Sequence, residues 1–197
     1  MYEAYALGDD SDWTWLVSTQ PVSVEDTAEW VLGKVLDDEL VPYAVIDLRT
    51  GQAVGLVSYM AIERMQGSVE IGHVTWSRKM KGSRLGTETV WLLLRNAFEH
   101  GYRRLEWKCD SMNTASRNAA ERLGFVWEGR LRQKLVRKGA TATATCCQSL
   151  MANGHSGMPN SAPGWLKRIL TGKGGSVKSW RRFVCKICPS PVGRGAA

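Results

Sequence analysis

"EIGHVTWSRKMKGSRLGTETVW", residues 70–91, changes period twice within its length. Its first seven residues close a β-branched and aromatic run, "SVEIGHVTW" (68–76), which reads as a strand. From Gly86 onward a helical spacing takes over, and Val90, Leu93, Leu94, Ala97 and Phe98 share one face before Gly101 supplies a C-terminal stop. Between strand and helix lies a basic turn holding Gly82. Small residues ahead of a helix let its first amides approach a ligand, and the helix dipole favours an anion there. Gly82, Gly86 and Thr87, with Lys79, Lys81 and Arg84 beside them, suit a pyrophosphate; they also suit a solvated basic cap, and the turn alone does not choose.

Upstream, Ser23 with Asp26 three residues later marks a helix start, and Ala28, Val31, Leu32, Val35 and Leu36 predict its apolar face. "YAVIDL" (43–48) and "AVGLVSYMAI" (53–62) are strand runs joined by a turn at Arg49–Gln52, and a turn at Gln66-Gly67 leads into 68–76. Three successive strands of this kind predict an antiparallel meander. Downstream, "RRLEWKCD" (103–110) alternates, with Leu105, Trp107 and Cys109 on one side. "TASRNAAERLG" (114–124) is a short helix with Ser116, Ala119, Ala120 and Leu123 in register. "FVWEGRLRQKLVRKG" (125–139) is a long strand alternating Phe125, Trp127, Leu131 and Leu135. The class is α+β.

The chain has 197 residues and a net charge of +7, divided unevenly. Residues 1–139 carry 18 Lys/Arg and 19 Asp/Glu, while residues 140–197 carry 8 Lys/Arg and no acid. The second part also holds four of the five cysteines and four of the six prolines, so it is a different kind of sequence. The acidic start lacks a signal-peptide core and no apolar run reaches the ~18 residues of a membrane span, which predicts a soluble cytoplasmic protein without a membrane partner.

"VEIGHVTW", the turn into "GTETVWLLL", "YRRLEWKCDSMN" and the pattern N-x-x-S-x-x-x-x-E-x-x-G-F from Asn113 to Phe125 together resemble the GNAT superfamily of acyl-CoA N-acetyltransferases, in particular its RimJ/RimL-like group. The resemblance covers about residues 22–139. It implies a mixed, mostly antiparallel twisted sheet flanked by helices, with acetyl-CoA as cosubstrate and no metal. The CoA pyrophosphate is then expected on the turn Lys81, Gly82, Ser83, Arg84, Leu85, Gly86 and Thr87, where Arg84 replaces the family's second glycine. The pantetheine arm is expected to pair with the strand around Val74 to Trp76, with Asn113 holding it. Ser116 is the implied proton donor to the leaving thiolate and Glu70 the implied base. The residues themselves also allow Glu70 to be a solvent-facing strand residue and Ser116 a helix hydroxyl bonded to its own backbone. His73 and Cys109 read as core, and Trp76, Trp91, Trp107 and Trp127 as core or cleft wall. The implied acceptor is an amine-bearing small molecule, an amino acid or a protein N-terminus. The competing reading is a non-enzymatic protein whose basic tail binds nucleic acid.

The stretch "KGATATATCCQS" (138–149) breaks the resemblance. Family members continue with something close to "KGRNRDxDMLSIxDGEWP". Reading each codon one nucleotide earlier permits Arg-Asn-Arg-Asp from the Ala–Thr alternation and forces Leu at Cys147, so that segment fits the other frame. The expectation is a domain at 1–139, short of the family's first strand, followed by an out-of-frame, poorly ordered tail at 140–197 that leaves the last strand missing. Cys185 and Cys188 with Cys146, Cys147 and His155 lack the two tight pairs of a zinc ribbon, so no metal is expected.

Overall fold

The computed structural model describes residues 1–150 and 184–185. A short helix α1 (Tyr2–Tyr5), a 3-10 turn (Asp10–Trp13) and helix α2 (Val24–Val35) precede the meander β1 (Val41–Asp47), β2 (Gln52–Glu63) and β3 (Ser68–Trp76). Helix α3 (Arg84–Glu99), β4 (Arg104–Asp110), α4 (Thr114–Arg122), β5 (Val126–Arg137) and β6 (Ala140–Leu150) follow, with a two-residue strand β7 (Val184–Cys185). They form one sheet in the order β5-β6-β4-β3-β2-β1-β7, in which only β3 and β4 run parallel. This is the mixed, mostly antiparallel sheet expected.

Local signals set the helices. The Ser23 hydroxyl accepts the Asp26 amide at 3.0 Å, and the Asp26 carboxylate accepts the Val22 amide at 2.8 Å, closing the start of α2. Helix α3 buries Val90, Leu93, Leu94 and Ala97 as its spacing requires, and Gly101 ends it at φ 86°. These side chains meet Val69, Ile71, Leu105 and Trp107 from the sheet and Ala120, Leu123 and Phe125 from the α4 segment in one core.

Three expectations change. In α2, Ala28, Leu32 and Leu36 are exposed, and the inward side is Thr27 and Trp30. Trp30 sits edge-on to Tyr5 and Trp13, with centroids 5.9 and 5.7 Å away, and this aromatic contact sets the helix's rotation. In β5, register shifts at Trp127/Gly129 and Leu131/Leu135 interrupt the alternation, leaving Trp127 54% exposed. Finally, the gap expected between β4 and β5 is filled. Ala140–Leu150 pairs with β4 from Arg104 to Asp110 and with β5 from Val126 to Arg137. Ladder hydrogen bonds come from the backbone, so small and β-branched Ala and Thr can complete a sheet without an alternating pattern; Ala144 and Thr145 are fully enclosed there. The sheet therefore runs past residue 139. Of the remaining tail only Val184 and Cys185, paired with Val45 and Ala44, are described. His155, Cys188 and all eight basic residues of the tail lie outside the described residues. No helix among the described residues is long and apolar enough to cross a membrane.

Candidate active site

The site begins where β3 and β4 part. They pair only over Ser68–Glu70 and Arg104–Glu106, after which β4 keeps its ladder with β6 and β3 keeps its own with β2. The separation has a local cause. Between Gly72 and Thr75 the β2–β3 register shifts, and His73 adopts φ 48°, a bulge that bends β3 away from β4. His73 is therefore a half-buried bulge residue and not a core histidine. Burial lowers its pKa, assisted by the charge of Lys34.

Beyond the bulge, no strand among the described residues pairs with β3 on the side facing the opening. The Ser77 amide donates to Val54 O of β2 at 3.2 Å, and the Tyr5 hydroxyl donates to Thr75 O at 2.9 Å on that same side. Main-chain groups alternate along a strand, so those of Val74 and Trp76 face the gap. An unpaired edge of this kind accepts an extended ligand as an added strand.

At the mouth stands the N-terminus of α3. Ser83 caps it, accepting the Gly86 amide at 3.3 Å and donating its hydroxyl to Met80 O at 2.7 Å. The Lys81 amide is used by Ser77 O and the Ser83 amide by Met80 O. Among the described residues, no acceptor takes the amides of Gly82, Arg84 and Leu85. Gly82 holds φ 65°. At Gly86 a Cβ would lie 3.0 Å from both Met80 O and the Trp76 ring, so glycine lets the helix start sit this close to β3 without crowding. Thr87 is buried, and its hydroxyl accepts Arg122 Nη1 of α4 at 2.7 Å, which ties the two helices together. The indole nitrogen of Trp76 and the hydroxyl of Ser77 are buried without a partner among the described residues.

The basic side chains of the turn are arranged differently from the sequence expectation. Lys81 is paired with Asp12, and Arg78 bonds Asp9 at 2.6 Å and Asp12 at 2.7 Å. Lys79 reaches Gln52 Oε1 at 3.2 Å. Arg84 is exposed, with its charge felt by Glu88 one turn on. The anion-ready groups are thus main-chain amides, while the lysine and arginine ahead of them fasten the N-terminal 3-10 turn.

On the other wall, Asn113 caps α4 by accepting the Ser116 amide at 3.0 Å. The Ser116 oxygen accepts the indole N–H of Trp107 at 3.0 Å, which leaves its own O–H free to donate. Glu70 lies at the parting point, largely buried, with Oε2 2.7 Å from Lys108 Nζ. Lys108 also meets Glu106 at 2.7 Å, and Arg104 links Glu106 to Glu128. Burial opposes the Lys108 ammonium, but its bonds to Glu106 and Glu70 outweigh that and raise its pKa. This charge network was not visible in the sequence, although the alternation of "RRLEWKCD" did place Glu106 and Lys108 on one side. Over the opening, Lys138 from the β5–β6 hairpin donates to Trp13 O at 3.1 Å, joining hairpin tip and N-terminal segment.

A splayed parallel pair, a bulged strand and a glycine-bearing helix start at its end are the features of an acyl-CoA cleft. The family model for the acetyltransferase (GNAT) domain matches residues 2–126. The chain belongs to the GNAT acetyltransferase family. Among solved structures it is similar to a protein described as a GNAT-family acetyltransferase from Chromobacterium violaceum, with 39% identity over 76% of this chain and 75% of that one and a TM-score of 0.70. A GCN5-related N-acetyltransferase from Brucella melitensis shares 31% identity over 86% of this chain and 74% of that one, with a TM-score of 0.74. The self-immunity acetyltransferase MccE, solved in complex with acetyl-CoA, has a TM-score of 0.66 at 17% identity, covering 76% of this chain and 84% of that one. A comparison with curated proteins gave no match. Among the described residues no cluster of His, Cys, Asp and Glu could hold a metal ion.

Proposed function

We propose that the protein is a RimJ/RimL-like N-acetyltransferase that moves the acetyl group of acetyl-CoA to a primary amine: a protein N-terminus, an amino acid or a small amine. The observation that carries this is the parting of β3 from β4 beyond Glu70, which leads to amides of Gly82, Arg84 and Leu85 that have no acceptor among the described residues. Those amides would hold the pyrophosphate, and the strand edge would hold the pantetheine arm with Asn113 opposite it. Acetyl-CoA supplies an activated thioester, whose C–S bond breaks as a C–N bond forms to the amine. Glu70 is the assigned base, taking the amine's proton directly or through water, and Ser116 donates its proton toward the departing sulfur. The Trp107 indole keeps the Ser116 oxygen occupied as an acceptor, so its hydrogen points away from that bond.

Thiol release from acetyl-CoA, followed with an amine panel of N-terminal peptides, amino acids and aminosugars, tests the reading. Turnover with one class identifies the acceptor, whereas CoA binding without turnover on any amine would contradict it. The out-of-frame origin of residues 140–197 is a separate proposal. The coding DNA decides it: if the shifted frame does not read as the family's strand, the idea fails.

A further inference from the structure

Helix α4 has two working sides. One carries Ser116 and Asn113 to the cleft; the other overhangs β5 and β6. Between that outer side and the sheet lies a groove of about 730 Å³, lined among the described residues by Arg117, Glu121, Trp127, Arg130 and Thr145. The sheet places its floor unambiguously. Glu128 turns to the opposite face, where it meets Arg104, so its neighbour Trp127 turns toward α4. Arg130 pairs in register with Thr145, and Thr145 with Cys109, whose alternation puts it on the Trp107 side.

Among the described residues Arg49, Arg78, Arg95 and Arg104 have carboxylate partners, while other surface arginines such as Arg64, Arg84 and Arg103 do not. Arg117 and Arg130 have none among the described residues, although Arg117 stands four residues before Glu121 on one helix. Arg117 is half-buried, so an unpaired guanidinium has been partly taken from water there. Trp127, which lines the same space, is 54% exposed, and Thr145 on the floor is 2% exposed. Two unpaired guanidinium forks, an open indole face and one carboxylate suit a planar ring that carries an anion. The ring would stack on Trp127, the anion would take N–H donors from both arginines, and Glu121 would accept a ring N–H. The volume falls in the usual range for a small-molecule site.

We propose that the α4–β5–β6 groove is a binding site for a small planar anion, an aromatic ring bearing a phosphate or a carboxylate, distinct from the acetyl-CoA cleft. The groove lies apart from the acetyl-CoA cleft, but its test rests on the acetyltransferase reading in using CoA to fill that cleft and to report folding. Its test is calorimetric titration of the full chain, saturated with CoA so that the cleft is filled, with GMP in one arm and indole-3-acetate in the other. Guanine also keeps the phosphate probe unlike CoA's own adenine. The expected result is binding of at least one probe, weakened about tenfold or more by R117A/R130A and by W127A. The CoA-induced rise in melting midpoint should stay unchanged in both variants, which shows that they fold. GMP alone would assign the site to phosphates, and indole-3-acetate alone to carboxylates. Binding of neither probe, or binding that survives both variants, overturns the proposal.

Discussion

The indole N–H of Trp107 points at the hydroxyl oxygen of Ser116, 3.0 Å away, across the space between β4 and α4. A serine held this way keeps one hydrogen to give and little freedom in where to give it. Ser116→Ala should lower kcat about 10²-fold, the scale of a lost general acid, with little change in the apparent affinity for acetyl-CoA. Trp107→Phe should give a smaller loss in kcat, because the hydroxyl remains but is no longer oriented. Steady-state kinetics of the two variants separates these effects.

Lys108 compensates two carboxylates that face each other across the last paired rung of β3 and β4. Lys108→Met should destabilise the fold by about 2 kcal/mol. That is less than the ~3–5 kcal/mol of a fully enclosed pair, because the lysine side chain keeps 28% exposure. Glu70→Gln should lower kcat/KM about 10²-fold at neutral pH and leave the acetyl-CoA affinity intact. Urea melts of the first variant and kinetics of the second check the two statements.

The N-terminal segment is fastened to the cofactor turn by charge. Asp9 is held at about pKa 2 by its hydrogen bonds to Ser11 and Arg78. Burial opposes ionisation of Asp12, but Lys81, the Asp9 amide and Arg78 outweigh it and lower its pKa. Both folded values lie below the unfolded one, so the stability they add is present above about pH 4 and lost as pH falls toward 2. Acid titration followed by tryptophan fluorescence should show the Tyr5–Trp13–Trp30 cluster loosening in that window. The double variant D9N/D12N should lose the pH dependence and melt at a lower temperature at pH 7.

How legible this was follows the range of each interaction. The apolar face of α3, the Ser23 cap and the stop at Gly101 were readable because each depends on residues within one or two turns. The rotation of α2 was not, since Leu32 and Leu36 have the right spacing but Trp30 wins through contacts with Tyr5 and Trp13. The pairing of Lys81 with Asp12, 69 residues away, could not be read from the turn alone. The pairing of Glu70 with Lys108 exists only because β3 and β4 run parallel and then separate. Strand β6 was only half legible for a different reason: "ATATATCCQSL" is β-compatible but lacks an apolar alternation, and its place is set by two neighbours that it pairs on either side.

Gly86→Ala tests the closeness of α3 to β3. A methyl 3.0 Å from Met80 O and the Trp76 ring is a crowded contact that the helix start or the indole has to relieve by a few tenths of an ångström, at an expected cost of roughly 1–3 kcal/mol. The larger effect should be on the KM for acetyl-CoA, since the open amides move with the helix.

The most direct test of the account is a thermal melt of the purified chain with and without acetyl-CoA. Binding to the native state at a hundredfold excess over Kd adds about 2.7 kcal/mol. The account therefore predicts a cooperative melt whose midpoint rises by several degrees and keeps rising with the logarithm of acetyl-CoA concentration. A melt that is blind to acetyl-CoA would contradict it.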